Sequence, residues 1–264
     1  MAAREQHQPS VHNKLLAALP PADFAALERH ADSVDLPQGK VLYEPGEAIR
    51  YAYFPHTCVV SLVAVLEDGR TAEVLLFGCE GVLGLVTSFV SRESFGRFIV
   101  QMPGTATRVP IDRMREVLDT SPAAMDLMRR YGEALFKQAL QTVACNALHS
   151  VEARCCGWIL RIHDRMDQDT LPLTHEFLAE MLGVQRSTVS LVTRTLQNAG
   201  LITQSRGAIT VTDRSGLEDA TCECYGTMRR IFERLLPNTY DHVKSLKPET
   251  FASPGKRTGA TGVH

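Results

Sequence analysis

Met181-Leu-Gly-Val-Gln-Arg-Ser-Thr-Val-Ser-Leu-Val-Thr-Arg-Thr-Leu-Gln-Asn-Ala-Gly-Leu-Ile-Thr-Gln-Ser-Arg-Gly-Ala-Ile-Thr-Val-Thr212 holds three arginines, nine serines or threonines and no acidic residue. A phosphate backbone repels carboxylates and rewards arginine and hydroxyl donors. Within this stretch Val189, Val192 and Leu196 recur at helical spacing, which leaves Arg186, Ser187, Ser190 and Arg194 on the opposite side of a helix over residues 186–198. Ala199-Gly200-Leu201-Ile202 stops that helix and leads into a hairpin turning at Ser205-Arg206-Gly207, with Arg206 at the tip.

Just upstream, Thr174 is a good N-cap for a first helix with Glu176 in its first turn, and Leu173 and Leu178 are spaced as a hydrophobic staple. Phe177, Leu178, Met181 and Leu182 supply its buried face, and Gly183 permits the left-handed backbone of a tight interhelical turn. A helix, a turn, a second helix and a hairpin, free of acid from Met181 to Thr212, form a unit whose second helix fits a DNA major groove. Arginine there can bond both acceptors of a guanine edge.

Farther upstream, Ser121-Pro122 starts a helix that runs to about Leu148, serine as N-cap and proline at the first helical position. Met128, Tyr131, Leu135, Ala139, Thr142 and Cys145 recur every three or four residues, a seam for the partner helix of a homodimer. Leu127, Ala134, Leu140, Ala144 and Leu148 form a second apolar edge, expected to pack on the chain's own N-terminal half. His149-Ser150 reads as the hinge, Ser150 capping a further amphipathic helix over 151–166.

Residues 12–31 show helical spacing. From Leu36 the pattern changes to short β-runs at 41–43, 51–54, 59–66, 71–77, 97–102 and 106–110, with Asp68-Gly69 as the strongest hairpin signal. The expected fold class is α+β: a β-roll over 12–120, a dimerisation helix and hinge over 121–149, a winged helix-turn-helix over 150–236 and a disordered tail over 248–264.

Composition narrows the function. With 28 basic and 30 acidic residues there is no global positive field, so affinity for nucleic acid has to come from the local patch. No run of ~18 uncharged apolar residues is present, and Met1 opens no apolar signal core, so a cytoplasmic protein that does not span a membrane is expected. Seven cysteines, including Cys155-Cys156, do not resemble a disulfide framework. Cys222-x-Cys224 invites a metal, but a structural zinc needs four ligands and no adjacent Cys-x-x-Cys or His pair completes a set, so no metal site is expected. No Gly-x-Ser-x-Gly elbow, phosphate-binding glycine loop or His-Glu-x-x-His occurs, so no enzyme is expected.

The run Thr174-His-Glu-Phe-Leu-Ala-Glu-Met-Leu-Gly-Val-Gln-Arg-Ser-Thr-Val-Ser, followed by Leu-Gln-Asn-Ala-Gly-Leu-Ile, resembles the winged helix of Crp/Fnr-type bacterial transcription regulators. Val41-Leu-Tyr-Glu-Pro-Gly-Glu and Gly78-Cys-Glu-Gly-Val-Leu-Gly-Leu resemble strands of that family's cyclic-nucleotide-binding-type β-roll. The resemblance covers about residues 12–235. It implies a homodimeric regulator on an inverted-repeat operator in double-stranded DNA, with RNA polymerase as a partner. Arg186 matches the family's guanine-reading arginine, Thr188 a common phosphate contact, and Thr174 the start of the helix that crosses the backbone. Ser187, Ser190 and Arg194 are expected to support base reading, and Thr193 and Arg206 to hold phosphate.

Departures limit what carries over. Ser187 stands where a glutamate often reads cytosine, Leu191 where the prototype has a second arginine, and Gln185 where a serine often caps the recognition helix. In the cyclic-nucleotide pocket Leu85 replaces the ribose-binding glutamate. The anion-binding arginine position falls near Phe95-Gly96, with Arg92 and Arg97 as imperfect substitutes. Losing acceptor and anion partner together costs several kcal/mol, so a cyclic nucleotide is not the expected effector. The first 57 residues hold no cysteine, which argues against the family's N-terminal iron–sulfur cluster. His56, Cys58 and Cys79 are the residues a haem would call on, and haem is not expected either. The effector is left open. Two rivals stand beside this reading: a cyclic-nucleotide-responsive regulator with an atypical pocket, and an interaction scaffold of the same fold that no longer reads DNA.

Overall fold

A computed structural model describes residues 12–85 and 91–240; the tail expected over 248–264 lies outside the described residues. Two short helices, α1 (Lys14–Ala17) and α2 (Pro21–Glu28), carry the helical spacing read at 12–31; they part at Pro20-Pro21, which removes donors and restarts the helix at Pro21.

Among the described residues seven strands follow: β1 (Asp32–Leu36), β2 (Val41–Tyr43), β3 (Tyr51–Pro55), β4 (Val59–Val65), β5 (Thr71–Phe77), β6 (Arg97–Met102) and β7 (Gly104–Pro110). They form a four-stranded sheet in the order β2-β6-β4-β5 and a three-stranded sheet in the order β1-β7-β3, all antiparallel. Leu36, Phe54, Leu62, Phe77, Leu83 and Phe98 belong to one apolar core. The sequence reading missed β1, whose Asp-Ser-Val-Asp-Leu run carries two acids and pairs only along β7.

The four-stranded sheet is buried on both faces. Val60 and Leu62 of β4 belong to the roll core, while Val59, Val63, Leu76, Ile99 and Met102 join a second core with residues from the C-terminal third of the chain. A run such as Val59-Val60-Ser61-Leu62-Val63, buried at every position and apolar at all but Ser61, is the pattern of a strand covered on both sides.

After α3 (Ile111–Thr120), α4 (Pro122–Leu148) starts as read: Ser121 Oγ accepts from the Ala124 amide and Pro122 is the first helical residue. The orientation of α4 corrects the expected seam. Met128, Tyr131, Leu135 and Thr142 are buried within the chain itself, Ala139 packs against the roll core, and Cys145 is half-buried beside Cys222. Tyr131 fixes this rotation, because its hydroxyl donates to the Val82 carbonyl (3.0 Å) and accepts from the Val82 amide (3.0 Å). Of the edge assigned to internal packing, Leu127 and Ala134 are buried, but Leu140 and Leu148 are exposed. The stripe that α4 leaves outside is Phe136, Leu140, Val143 and Ala147, spaced 4-3-4, with Phe136 65% and Val143 67% exposed.

The C-terminal third contains α5 (Val151–His163), β8 (Thr170–Leu171), α6 (His175–Leu182), α7 (Arg186–Asn198), β9 (Ile202–Ser205), β10 (Ala208–Val211), α8 (Arg214–Ala220) and α9 (Cys224–Leu235). Strands β8-β10-β9 form a small antiparallel wing. Helix α9 turns back along α4, and its Phe232 belongs to the roll core.

Polar bonds reinforce the second core. Glu73, 4% exposed on β5, accepts from Ser61 Oγ (2.6 Å) and Trp158 Nε1 (3.1 Å) and lies 3.2 Å from Arg161 Nη2. One helical turn on, Arg165 meets buried Glu80 at 2.5 Å. Arg161 in the last turn of α5 and Arg165 in the turn just beyond it thus engage two buried carboxylates of the roll. A buried ion pair resists the removal of one partner far more than it stabilises the fold as a whole.

Candidate nucleic-acid interface

Thr174 caps α6 by accepting from the Phe177 amide at 3.2 Å, and Gly183 ends the helix at φ 65°, in the left-handed region. Helix α7 then starts at Arg186. Gln185 makes no side-chain cap bond, so the first amides of α7 are not met by its side chain. Val189, Val192 and Leu196 turn inward, while Arg186, Ser187, Leu191 and Arg194 are exposed and Thr188 and Ser190 are half-buried. Arg206 is exposed at the hairpin tip before Gly207 (φ 77°). The winged unit contacts the roll chiefly through α6, which packs on β5, and the outer face of α7 stays open.

One expected contact residue lies elsewhere. Thr193 is fully buried, and its Oγ1 donates back to the Val189 carbonyl at 2.9 Å, so it cannot hold a phosphate. It sits four residues beyond Val189, on the core side of a helix of 3.6 residues per turn.

Two residues that the sequence reading gave no place at the DNA face, His175 and Glu176, organise it. His175 faces Ser190 Oγ through Nδ1 (3.0 Å) and Gln204 Oε1 through Nε2 (2.7 Å), tying α6 to α7 and to the wing strand β9. Glu176 Oε1 lies 2.9 Å from Arg186 Nε, an exposed pair across the interhelical turn. A His-Glu pair in the first turn of α6 was visible in the sequence, but its reach to residues 10 to 29 positions away was not.

Leu85 is fully buried, and Tyr43, Tyr53, Phe77 and Phe98 stack edge-on or tilted within the core. Arg97 Nε lies 3.0 Å from Glu44 Oε2, and Arg92 Nη1 3.3 Å from Asp112 Oδ1, so carboxylates occupy both guanidinia. His56 Nε2 pairs with Thr107 Oγ1 at 2.7 Å. Burial pushes the Cys58 thiol up to about 12 and the Cys79 thiol up to about 11, which keeps both protonated at neutral pH.

A second constellation lies where α4, α5, α8 and α9 meet. Cys222 and Cys224 do not stand alone, because Cys145 and His149, one turn apart on α4, bring the ligand atoms of all four within 4.8 Å of one another.

An outward arginine-bearing helix, a wing and a β-roll behind them define a winged helix-turn-helix regulator with an N-terminal β-roll. Residues 153–220 match the Crp-like helix-turn-helix domain. The chain is 24% identical over 184 residues to the Global nitrogen regulator of Synechococcus elongatus, covering 66% of this chain and 82% of that protein. Its fold is similar to FixK2 from Bradyrhizobium japonicum (TM-score 0.61, 17% identity, 73% of this chain and 98% of that one). It is also similar to a CRP-family transcriptional regulator from Thermus thermophilus (TM-score 0.59, 18% identity, 71% and 95%). The matched helix-turn-helix domain and these likenesses support a Crp/Fnr-type transcription regulator.

Proposed function

We propose that this protein is a homodimeric regulator, without catalytic activity, that binds an inverted-repeat operator through α7. The observation that carries this reading is the segregation on α7: every inward side chain is apolar or self-satisfied, while Arg186, Ser187, Leu191 and Arg194 face outward without occlusion by the roll. Arg186 would read guanine, Ser187, Ser190 and Arg194 would support it, and exposed Leu191 suits the methyl group of thymine. Thr174, Thr188 and Arg206 would hold phosphate.

Dimerisation is assigned to Phe136, Leu140, Val143 and Ala147. An apolar stripe at 4-3-4 spacing on a helix of 27 residues is the pattern of a two-helix seam. Two α7 helices related by a twofold axis would then meet major grooves one helical turn apart, about 34 Å. The same reading divides the chain near residues 121 and 150, places it in the cytoplasm and gives it RNA polymerase as a partner. Among the described residues no helix is long and apolar enough to cross a membrane.

Selection of bound DNA from a random pool, with and without cell extract, tests this reading. An enriched sequence with twofold symmetry is the expected result. Retention of DNA without any enriched sequence would sink it.

A further inference from the structure

Four sulfur and nitrogen atoms converge at the junction between the long helix and the C-terminal helix. Cys145 and His149 stand one turn apart at the end of α4, His149 being its C-cap; Cys222 and Cys224 flank the start of α9. Cys145 Sγ lies 3.6 Å from Cys222 Sγ, and Cys224 Sγ lies 3.4 Å from His149 Nδ1. In a tetrahedral zinc site, Zn–S bonds of about 2.3 Å and Zn–N bonds of about 2.0–2.1 Å set the edges at about 3.8 Å between sulfurs and about 3.6 Å between sulfur and nitrogen. These two edges match to within a few tenths of an ångström, and the widest pair, at most 4.8 Å, needs a contraction of about 1 Å.

The surroundings are those of a ligand set. While His149 turns Nδ1 to the cluster, its Nε2 lies 3.3 Å from a Glu223 carboxylate oxygen. A carboxylate on the far nitrogen fixes the tautomer and orientation of a metal-binding imidazole. Gln141, one turn before Cys145, donates to Cys224 Sγ at 3.0 Å. Three thiolates and a neutral imidazole around a dication leave one negative charge. Arg154 lines the same cavity of about 40 Å³ as Cys145, Cys222 and Cys224 and supplies the balancing cation.

We propose that Cys145, His149, Cys222 and Cys224 form a closed, four-coordinate Zn²⁺ site that clamps the end of α4 to the start of α9. Thiolate-rich sets with one imidazole select zinc over harder dications, and a set with four protein ligands leaves no open position for chemistry. The role is therefore structural: the metal fixes the point at which the chain turns from α4 into α5 through His149-Ser150. Because binding free energy of this kind is also folding free energy, the metal ties the winged unit to the helix that carries the exposed stripe. The reading is independent of DNA binding.

The test uses the full chain, purified under reducing conditions and loaded with zinc. Elemental analysis should give one zinc per chain. Replacement by Co²⁺ should give the ligand-field bands of a tetrahedral ion together with thiolate charge-transfer absorption. Cys145→Ser and Cys222→Ser should each abolish stoichiometric binding, Cys156→Ala should leave it intact, and Glu223→Gln should weaken metal affinity about 10–100-fold. Should the serine variants fail to fold, the Co²⁺ spectrum of the unaltered chain still reports coordination number and thiolate ligation. Reduced wild-type chain that takes up no stoichiometric metal, an octahedral Co²⁺ spectrum, or binding that survives Cys222→Ser in a folded protein would each overturn the proposal. So would iron with inorganic sulfide in place of zinc.

Discussion

Arg186 Nε and Glu176 Oε1 lie 2.9 Å apart across the turn between α6 and α7, both side chains more than half exposed. An exposed pair of this kind adds little to stability, about 0–1 kcal/mol, so its consequence is positional. Glu176 holds the guanidinium at the mouth of α7 before DNA arrives. Arg186→Ala is expected to cost about 1–3 kcal/mol of binding at one base pair of the half-site and to relax preference there. Glu176→Gln should relax that same preference while raising affinity for unrelated DNA, since a carboxylate near phosphate is removed. Fluorescence anisotropy on the selected operator and its single-base variants checks both; equal loss on every sequence would assign Arg186 to the backbone.

Salt dependence separates Arg206 from Thr193. A side chain that neutralises one phosphate contributes about one unit to the slope of log K against log salt. Arg206→Ala should lower the slope by about that amount. Thr193→Val, which deletes a hydroxyl bonded within its own helix, should leave it unchanged, and a fall in that variant would return Thr193 to the interface.

The two faces of α4 make opposite predictions. Leu140→Asp, on the exposed stripe, should convert dimers to folded monomers in sedimentation experiments. Leu135→Ala, inside the chain, should instead destabilise the fold by about 2–5 kcal/mol and leave association at native concentrations intact. A dimer that persists with Leu140→Asp moves the interface off this stripe.

Arg161→Ala strands Glu73 in a site where it is 4% exposed. Removing one partner of a buried pair costs about 3–5 kcal/mol, reduced here because Ser61 and Trp158 still donate to the carboxylate. Denaturant unfolding of Arg161→Ala should show a loss of at least about 1–2 kcal/mol, and Glu73→Gln a smaller one. No measurable shift in either would mean that the winged unit does not rest on the roll in solution.

His56 gives a pH dependence. Burial first, and then the charge of His12, hold its pKa below the ordinary value of 6.5. The unfolded chain therefore takes up this proton at higher pH than the folded one. The contribution to stability is fully present above about pH 6.5 and is lost as pH falls toward the folded-state pKa. Denaturation of wild type and His56→Gln at about pH 8 and about pH 5 isolates the effect, wild type losing more on acidification. Parallel losses in the two proteins would remove His56 from the account.

Helix positions and the reading head were legible because each signal lies within a few residues. Ser121-Pro122, Thr174, Gly183 and the apolar spacing of α7 need no distant partner to be read. The exterior of α4 was not legible. A 27-residue helix with two apolar edges offers several rotations of similar local quality, and the choice rests on the Tyr131 hydroxyl bonding Val82 and on Phe232 arriving in the same core from α9. Thr193 was misplaced for a related reason, since hydroxyl chemistry alone does not say which side of a helix faces inward. The nearly continuous apolar run of β4, interrupted only by Ser61, did carry the message that something covers the outer sheet, though not that α5 and α6 are what covers it.

Local chemistry, then, settled the order of elements, the helix caps and turns, and the outward arginines of α7, because each depends on short-range periodicity and backbone geometry. What only the folded chain decided were relations across long sequence separations: which edge of α4 is free, that Glu73 and Glu80 receive Arg161 and Arg165, and that Cys145 and His149 meet Cys222 and Cys224. Those relations depend on how the helices rotate and dock to bury apolar surface and satisfy buried charge, and no window of sequence holds both partners.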